Sequence, residues 1–175
     1  MKDLKDYDIS FSGLSLGEHL YEFEIKSPFF EHFEFDEYEH FDLNAHVKML
    51  KSDTMLEFSV AIKGVIEVPC DLSGELFMQA IEKYFEVVIK FGNELREDDE
   101  IIILPFSEYK WNIGQLLYEH IVLSIPLKKV HPGVLDGSIK PEYTNDDYII
   151  EEEEELDEID PRWAKLKDLN KDNND

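Results

Sequence analysis

Apolar and polar residues alternate along most of the first half of the chain. Tyr7, Ile9 and Phe11 alternate with Asp8, Ser10 and Ser12. After a turn bracketed by Gly13 and Gly17, Tyr21, Phe23 and Ile25 alternate with Glu22, Glu24 and Lys26. A period of two sends successive side chains to opposite faces, so each run predicts a strand with one buried face. Leu43, Ala45, Val47 and Met49, then Leu56, Phe58, Val60 and Ile62, continue the pattern on either side of Lys51-Ser52-Asp53. That pair predicts a β-hairpin with a loop of about three residues. Gly64 interrupts the alternation and predicts a bulge or bend before Val65–Val68. Pro69–Gly74 is a loop by composition. Between Met78 and Phe91 the pattern fits either a helix or a strand with Lys83 turned inward. The β-branched and aromatic content of Tyr84–Phe91 favours the strand.

Asn93–Glu100 is charged and predicts a mobile loop, and Ile101–Leu104 a short strand. One helix is well signalled: Asn112 as cap, Gln115 at the N3 position, and Ile113, Leu116, Leu117, Ile121 and Ile125 on one face. Pro126 ends it, since proline disfavours helix in the residue before it. The expected fold is α+β: a mainly antiparallel sheet, or a partly open barrel, covered by one helix and followed by an acidic tail. The expected organisation is a β-rich domain over 1–135, an acidic and disordered linker over 136–159, and a short helical motif over 160–170.

Charge changes the picture more than composition does. At 43% hydrophobic and 13% aromatic residues, the 175-residue chain can build one ordinary core. Its 41 acidic and 17 basic residues leave a formal charge of −24, the wrong sign for a generic nucleic-acid footprint and the right one for basic proteins. Residues 141–175 hold 14 acids and 4 bases, so this last fifth carries −10 of that charge. It includes the unbroken run Glu151–Glu155. Beyond that run Asp160 suits an N-cap, Pro161 suits N1, and Trp163, Leu166 and Leu169 make a short apolar stripe. A tethered motif of this kind docks on its own domain or on a partner. Cys70 is the single cysteine, so neither an intrachain disulfide nor a cysteine-rich zinc site can form. The start, MKDLKDYDIS, lacks a signal-like apolar stretch, and no apolar run is long enough to span a bilayer, so a cytoplasmic protein without membrane contact is expected.

Three segments together resemble the YceD family, the large ribosomal RNA subunit accumulation proteins of bacteria and plastids. They are Lys63–Asp71, with a glycine-bearing strand running into a cysteine loop; Ile113–Leu127, with Glu119 and leucines leading to a Pro126-Leu127 exit; and Asp160–Leu166, similar to a closing Asp-Pro-Arg signature. Gly64, Cys70, Glu119 and Pro126 are the family-like positions. Many relatives carry a second cysteine where this chain has Ser73, and some carry more near His131. A metal or redox role of paired cysteines in relatives would therefore be lost here. The resemblance implies a part in accumulation of large-subunit ribosomal RNA, hence in ribosome assembly, and supplies no catalytic residues.

The remaining candidates are weaker. Cys70 has no histidine near it in sequence and reads as a turn cysteine at a strand end. The cluster Glu31–His40 holds carboxylates and imidazoles, but without the spacing of a two-histidine metal motif. It reads as a solvated loop clamped by Phe33, Phe35 and Phe41. Lys48, Lys63, Lys128 and Lys129, with His46 and His131, are the residues available for a local patch facing RNA phosphates. Tyr109 and Trp111 are available for base stacking but suit anchoring better. The expectation is a binding protein with no catalytic residues, metal or cofactor. Asp160, Pro161, Arg162, Trp163, Leu166 and Leu169 would meet a basic ribosomal protein or assembly factor. Direct RNA binding, and a metal-dependent hydrolase at His32–His40, are the alternatives.

Overall fold

The computed structural model describes residues 4–92, 96–98 and 101–141, with backbone only at 96–98. The alternating runs become the strands β1 (Asp8–Ser10), β2 (Gly17–Lys26), β3 (Phe41–Lys51), β4 (Met55–Pro69) and β5 (Leu76–Gly92). The last of these settles the Met78–Phe91 ambiguity in favour of the strand, with Lys83 half-buried on the inward phase. Further along are β6 (Arg96–Asp98), β7 (Ile101–Pro105) and β8 (Lys110–Asn112). A 3-10 turn at Leu4–Tyr7 and three α-helices complete the described residues: α1 (Ser27–Glu31), α2 (Gly114–Ser124) and α3 (Pro132–Leu135).

Six strands form one open sheet in the order β2-β3-β4-β5-β7-β6, antiparallel except for the parallel β5–β7 pair. The sheet does not close into a barrel, and among the described residues β2 and β6 stand at its edges. β1 and β8 pair separately, through Ile9 opposite Trp111. One sheet face is dry: Met49, Leu56, Phe58, Ile62 and Ile89 are each buried almost completely, at about 1.5–3 kcal/mol per side chain. α2 packs over this face through Ile113, Leu117 and Ile121, as its apolar stripe predicts. His120 on the same helix stacks on Phe85 of β5 at 3.7 Å. Burial and nearby Lys83 hold His120 below the usual imidazole range.

Three local expectations need correction. Gly64 is not a bulge: β4 stays in one-to-one register with β3 and with β5 across it. Glycine is there because β3 passes too close. A Cβ at 64 would lie 2.1 Å from the Asp42 carbonyl oxygen and 2.7 Å from Leu43 Cα, with φ at +154°. The charged stretch expected to be a loop contains β6, whose backbone pairs with β7. Asn112 ends β8 instead of occupying the N-cap, which is Ile113. Its Oδ1 still accepts from the Gly114 N–H at 2.9 Å, while its Nδ2 donates to Leu4 O and Asp8 Oδ1, both at 2.7 Å. Gln115 donates to Glu119 at 2.6 Å instead of closing a capping box.

The segment Glu31–His40 is a loop clamped by Phe33, Phe35 and Phe41, as expected. The anchors preceding this loop are Phe29 and Phe30, both buried on α1. Phe30 stacks on Phe41 at 3.7 Å, and Phe33 stacks on Tyr118 of α2 at 4.2 Å. Phe41 is buried in this aromatic layer, and Phe33 and Phe35 pack against it partly buried. Phe29 meets Tyr7 at 4.7 Å, so this layer also holds the N-terminal turn.

The chain divides into a unit over Met1–Lys140 and a second over Pro141–Asp175. Within the first, Ile139 N–H and Ser138 Oγ–H both donate to Gly133 O of α3. Most of the expected linker, and all of the 160–170 motif, lie outside the described residues.

Candidate functional site

The strand β4 delivers its last residues to a loop that meets the chain leaving α2. Cys70 N–H donates to Glu75 O at 2.8 Å, and Gly74 N–H returns to Cys70 O at 2.9 Å, closing the loop on itself. Asp71 then grips the segment after Pro126. Its N–H donates to Lys129 O at 2.8 Å, its Oδ2 accepts from the Lys129 N–H at 2.6 Å, and its Oδ1 lies 3.5 Å from Lys129 Nζ. The structure thus joins the cysteine loop to the exit from the helix, two segments 58 residues apart along the chain.

Cys70 is buried at the centre of this junction. Burial works against its thiolate. The His131 N–H at 3.2 Å, the Ser73 hydroxyl and the Leu72 N–H at 3.4 Å are aimed at Sγ, with the Ser73 amide adding to them. Together they outweigh burial and lower the thiol to about 7. The Ser73 hydroxyl is buried and makes no hydrogen bond of full geometry, so its part is that of a neighbouring dipole. His131 turns Nδ1 to the Gly133 N–H at 2.8 Å and its ring edge to Phe77. Cys70 is therefore a buried turn cysteine, as expected, though its histidine neighbour arrives from 61 residues away. Ser73 and His131 both border its sulfur.

This geometry sets a pH dependence. A thiol lowered in the folded chain stabilises it fully above the unfolded thiol pKa of about 8.5, and that contribution disappears as pH falls through about 7. Thermal unfolding of the protein against Cys70→Ser should show an advantage that grows from neutral to mildly alkaline pH. Thiolate absorbance should titrate near 7 in the native chain. A midpoint in the ordinary thiol range would contradict the arrangement.

The candidate lysines are not assembled into one patch. Lys48 pairs with Glu18 at 2.5 Å and Lys63 with Glu82 at 2.6 Å, both on the sheet face turned away from α2. Lys129 is committed to Asp71, with Lys128 exposed beside it. Trp111 packs on Phe58 at 4.9 Å, whereas Tyr109 is exposed. His40 lies 3.1 Å from Glu67, and among the described residues no three His, Cys, Asp or Glu side chains converge to hold a metal ion. The tail candidates Asp160, Pro161, Arg162, Trp163, Leu166 and Leu169 lie outside the described residues.

Gly64 on β4, Cys70 in its loop, Glu119 on α2 and Pro126 after it follow one another as the resemblance requires. The model of the family described as large ribosomal RNA subunit accumulation protein YceD matches residues 58–170. The chain belongs to the YceD family. The match spans well over half of the chain, from the first part of β4 through the Asp160–Leu169 motif. No curated protein and no solved structure matches it. YceD is not a known enzyme family, and its name suggests a role in accumulation of large-subunit ribosomal RNA. Among the described residues no helix is long and apolar enough to cross a membrane.

Sequence reasoning missed one functional candidate. Leu20 falls on the polar phase of β2, between Glu18 and Glu22, and is 72% exposed; Tyr84 on β5 is 60% exposed on the same open face. An apolar residue on the solvent phase of an alternating strand is the signal that could have found it.

Proposed function

We propose that this protein is a cytoplasmic, non-enzymatic factor in ribosome assembly. In this reading it supports accumulation of large-subunit ribosomal RNA by engaging a basic ribosomal protein or assembly factor. Membership of the YceD family carries the ribosomal part. The formal charge of −24 supports a basic protein as the immediate partner, since long-range attraction raises encounter rates with cations and opposes approach to RNA phosphates. Direct RNA contact is the weaker reading, because three of its four lysines, Lys48, Lys63 and Lys129, are already paired with carboxylates.

A tagged chain recovered from cells at low salt should bring down large-subunit proteins or their assembly factors. Moderate salt should reduce that recovery, because surface attraction is screened within about 8–10 Å at physiological ionic strength. Recovery of no ribosomal component, or a partner set indifferent to salt, would contradict the proposal.

A further inference from the structure

The sheet face opposite α2 is bare among the described residues, and it is grooved. Between Glu57 and Lys63 the outward side chains of β4 are the small Ser59 and Ala61. Across the register, Ala61 stands level with His46 and Glu22 on one side and Tyr84 on the other, and Ser59 with Lys48 and Leu20. Small residues on a central strand between larger ones leave a groove of about 680 Å³, with Leu20 and Tyr84 as its lips. These lips sit three strands apart, roughly 14 Å at the spacing of neighbouring strands, which accommodates a helix about 10–12 Å across.

Charge decides what the groove accepts. Lys48 is neutralised by Glu18, and Lys63 by Glu82. Among the described residues, Glu22 at the groove and Glu57 on the same face make no ion pair. The Tyr84 hydroxyl donates to Glu86, holding the ring at the lip beside another carboxylate. The face thus combines exposed apolar side chains with uncommitted negative charge.

We infer that this groove is the docking surface for an amphipathic, lysine- and arginine-rich segment of a protein partner, its apolar side chains seated between Leu20 and Tyr84 and its cations meeting Glu22 and Glu57. The inference rests on the proposed function in that it supplies the surface on which a basic partner would bind. A segment of this kind follows the helix-in-groove mode, in which apolar anchors give affinity and flanking charges give selectivity.

The test titrates a labelled amphipathic leucine–lysine peptide into the full chain, with a leucine–glutamate peptide and an alanine–lysine peptide for comparison. The leucine–lysine peptide should bind best and move the amide resonances of Leu20, His46, Ala61 and Tyr84. Leu20→Ser with Tyr84→Ser should weaken it about tenfold or more, and Glu22→Lys should weaken it without removing an apolar group. All three residues are exposed, so an unchanged melting curve verifies folding. Unchanged affinity in both variants, or resonance changes confined to Glu151–Glu155, would overturn the inference. So would self-association abolished by the double substitution, or an RNA oligonucleotide moving the same amides. Large-subunit components recovered equally by the double variant would defeat the groove while leaving the ribosomal reading standing. Peptide binding here with no ribosomal component recovered from cells would do the reverse.

Discussion

Replacing Gly64 by alanine is expected to abolish stable folding, although it adds a single methyl group. The added Cβ would sit 2.1 Å from Asp42 O, 2.7 Å from Leu43 Cα and 3.0 Å from the Asp42 carbonyl carbon. All three are backbone atoms, so no side-chain rotation relieves the overlap. Relief requires β3 and β4 to separate where Leu43 opposes Gly64, within a ladder that runs from Phe41 opposite Ile66 to Lys51 opposite Leu56. The inner residues of these strands include Ala45, Val47, Val60 and Ile62, all buried, so parting the strands also opens the core. Overpacking and backbone strain of this kind belong to the exceptional class of about 4–5 kcal/mol, a large share of the roughly 5–15 kcal/mol that holds a domain together. Gly13→Ala is the matched control. Its φ of +85° carries a left-handed penalty of about 1–2 kcal/mol, but nothing lies within 4 Å of the new methyl. Urea unfolding should therefore show a modest midpoint shift for Gly13→Ala and no cooperative native baseline for Gly64→Ala. Equal, small shifts in both would show that the close approach at Gly64 is not a constraint.

The contrast between these glycines also marks what the sequence could and could not reveal. Strands β3, β4 and β5 are legible because one face of each is dry and the other wet, and a period of two records that directly. The α2 face is legible for the same reason at helical period. Gly64 could be seen to be unusual, but not why, since the crowding atoms belong to Asp42 and Leu43 on the neighbouring strand. β6 escaped because Arg96-Glu97-Asp98 carries charge throughout, and an edge strand needs only its backbone to pair. The parallel β5–β7 pairing, with β7 lying between β5 and β6, is a matter of chain routing that no local pattern encodes. Phe29 and Phe30 are adjacent, so they fit neither period over so short a helix, although Pro28 in the first turn was a usable start signal.

The candidate site divides along the same line. Cys70 was legible as a cysteine at a strand end, whereas its low-lying thiol depends on the His131 amide, which only the fold brings near. The four lysines looked like a patch in sequence, yet Glu18, Glu82 and Asp71 reach three of them first. In a chain this acidic, an isolated surface lysine usually has a carboxylate within reach, and such pairs contribute little energy while removing the charge from view. The family was legible because its signature residues lie in continuous stretches, and the matched segment includes all three.

The strongest cellular effect should follow from removing the protein altogether. If it supports large-subunit assembly, unassembled large-subunit RNA should fail to accumulate while small-subunit RNA is made as before, since the proposed partner belongs to one subunit only. The measurement is the ratio of mature large- to small-subunit ribosomal RNA in cells depleted of this chain and in the same cells resupplied with it. The account predicts a ratio that falls on depletion and recovers on resupply. An unchanged ratio, or an equal loss of both RNAs, would contradict it.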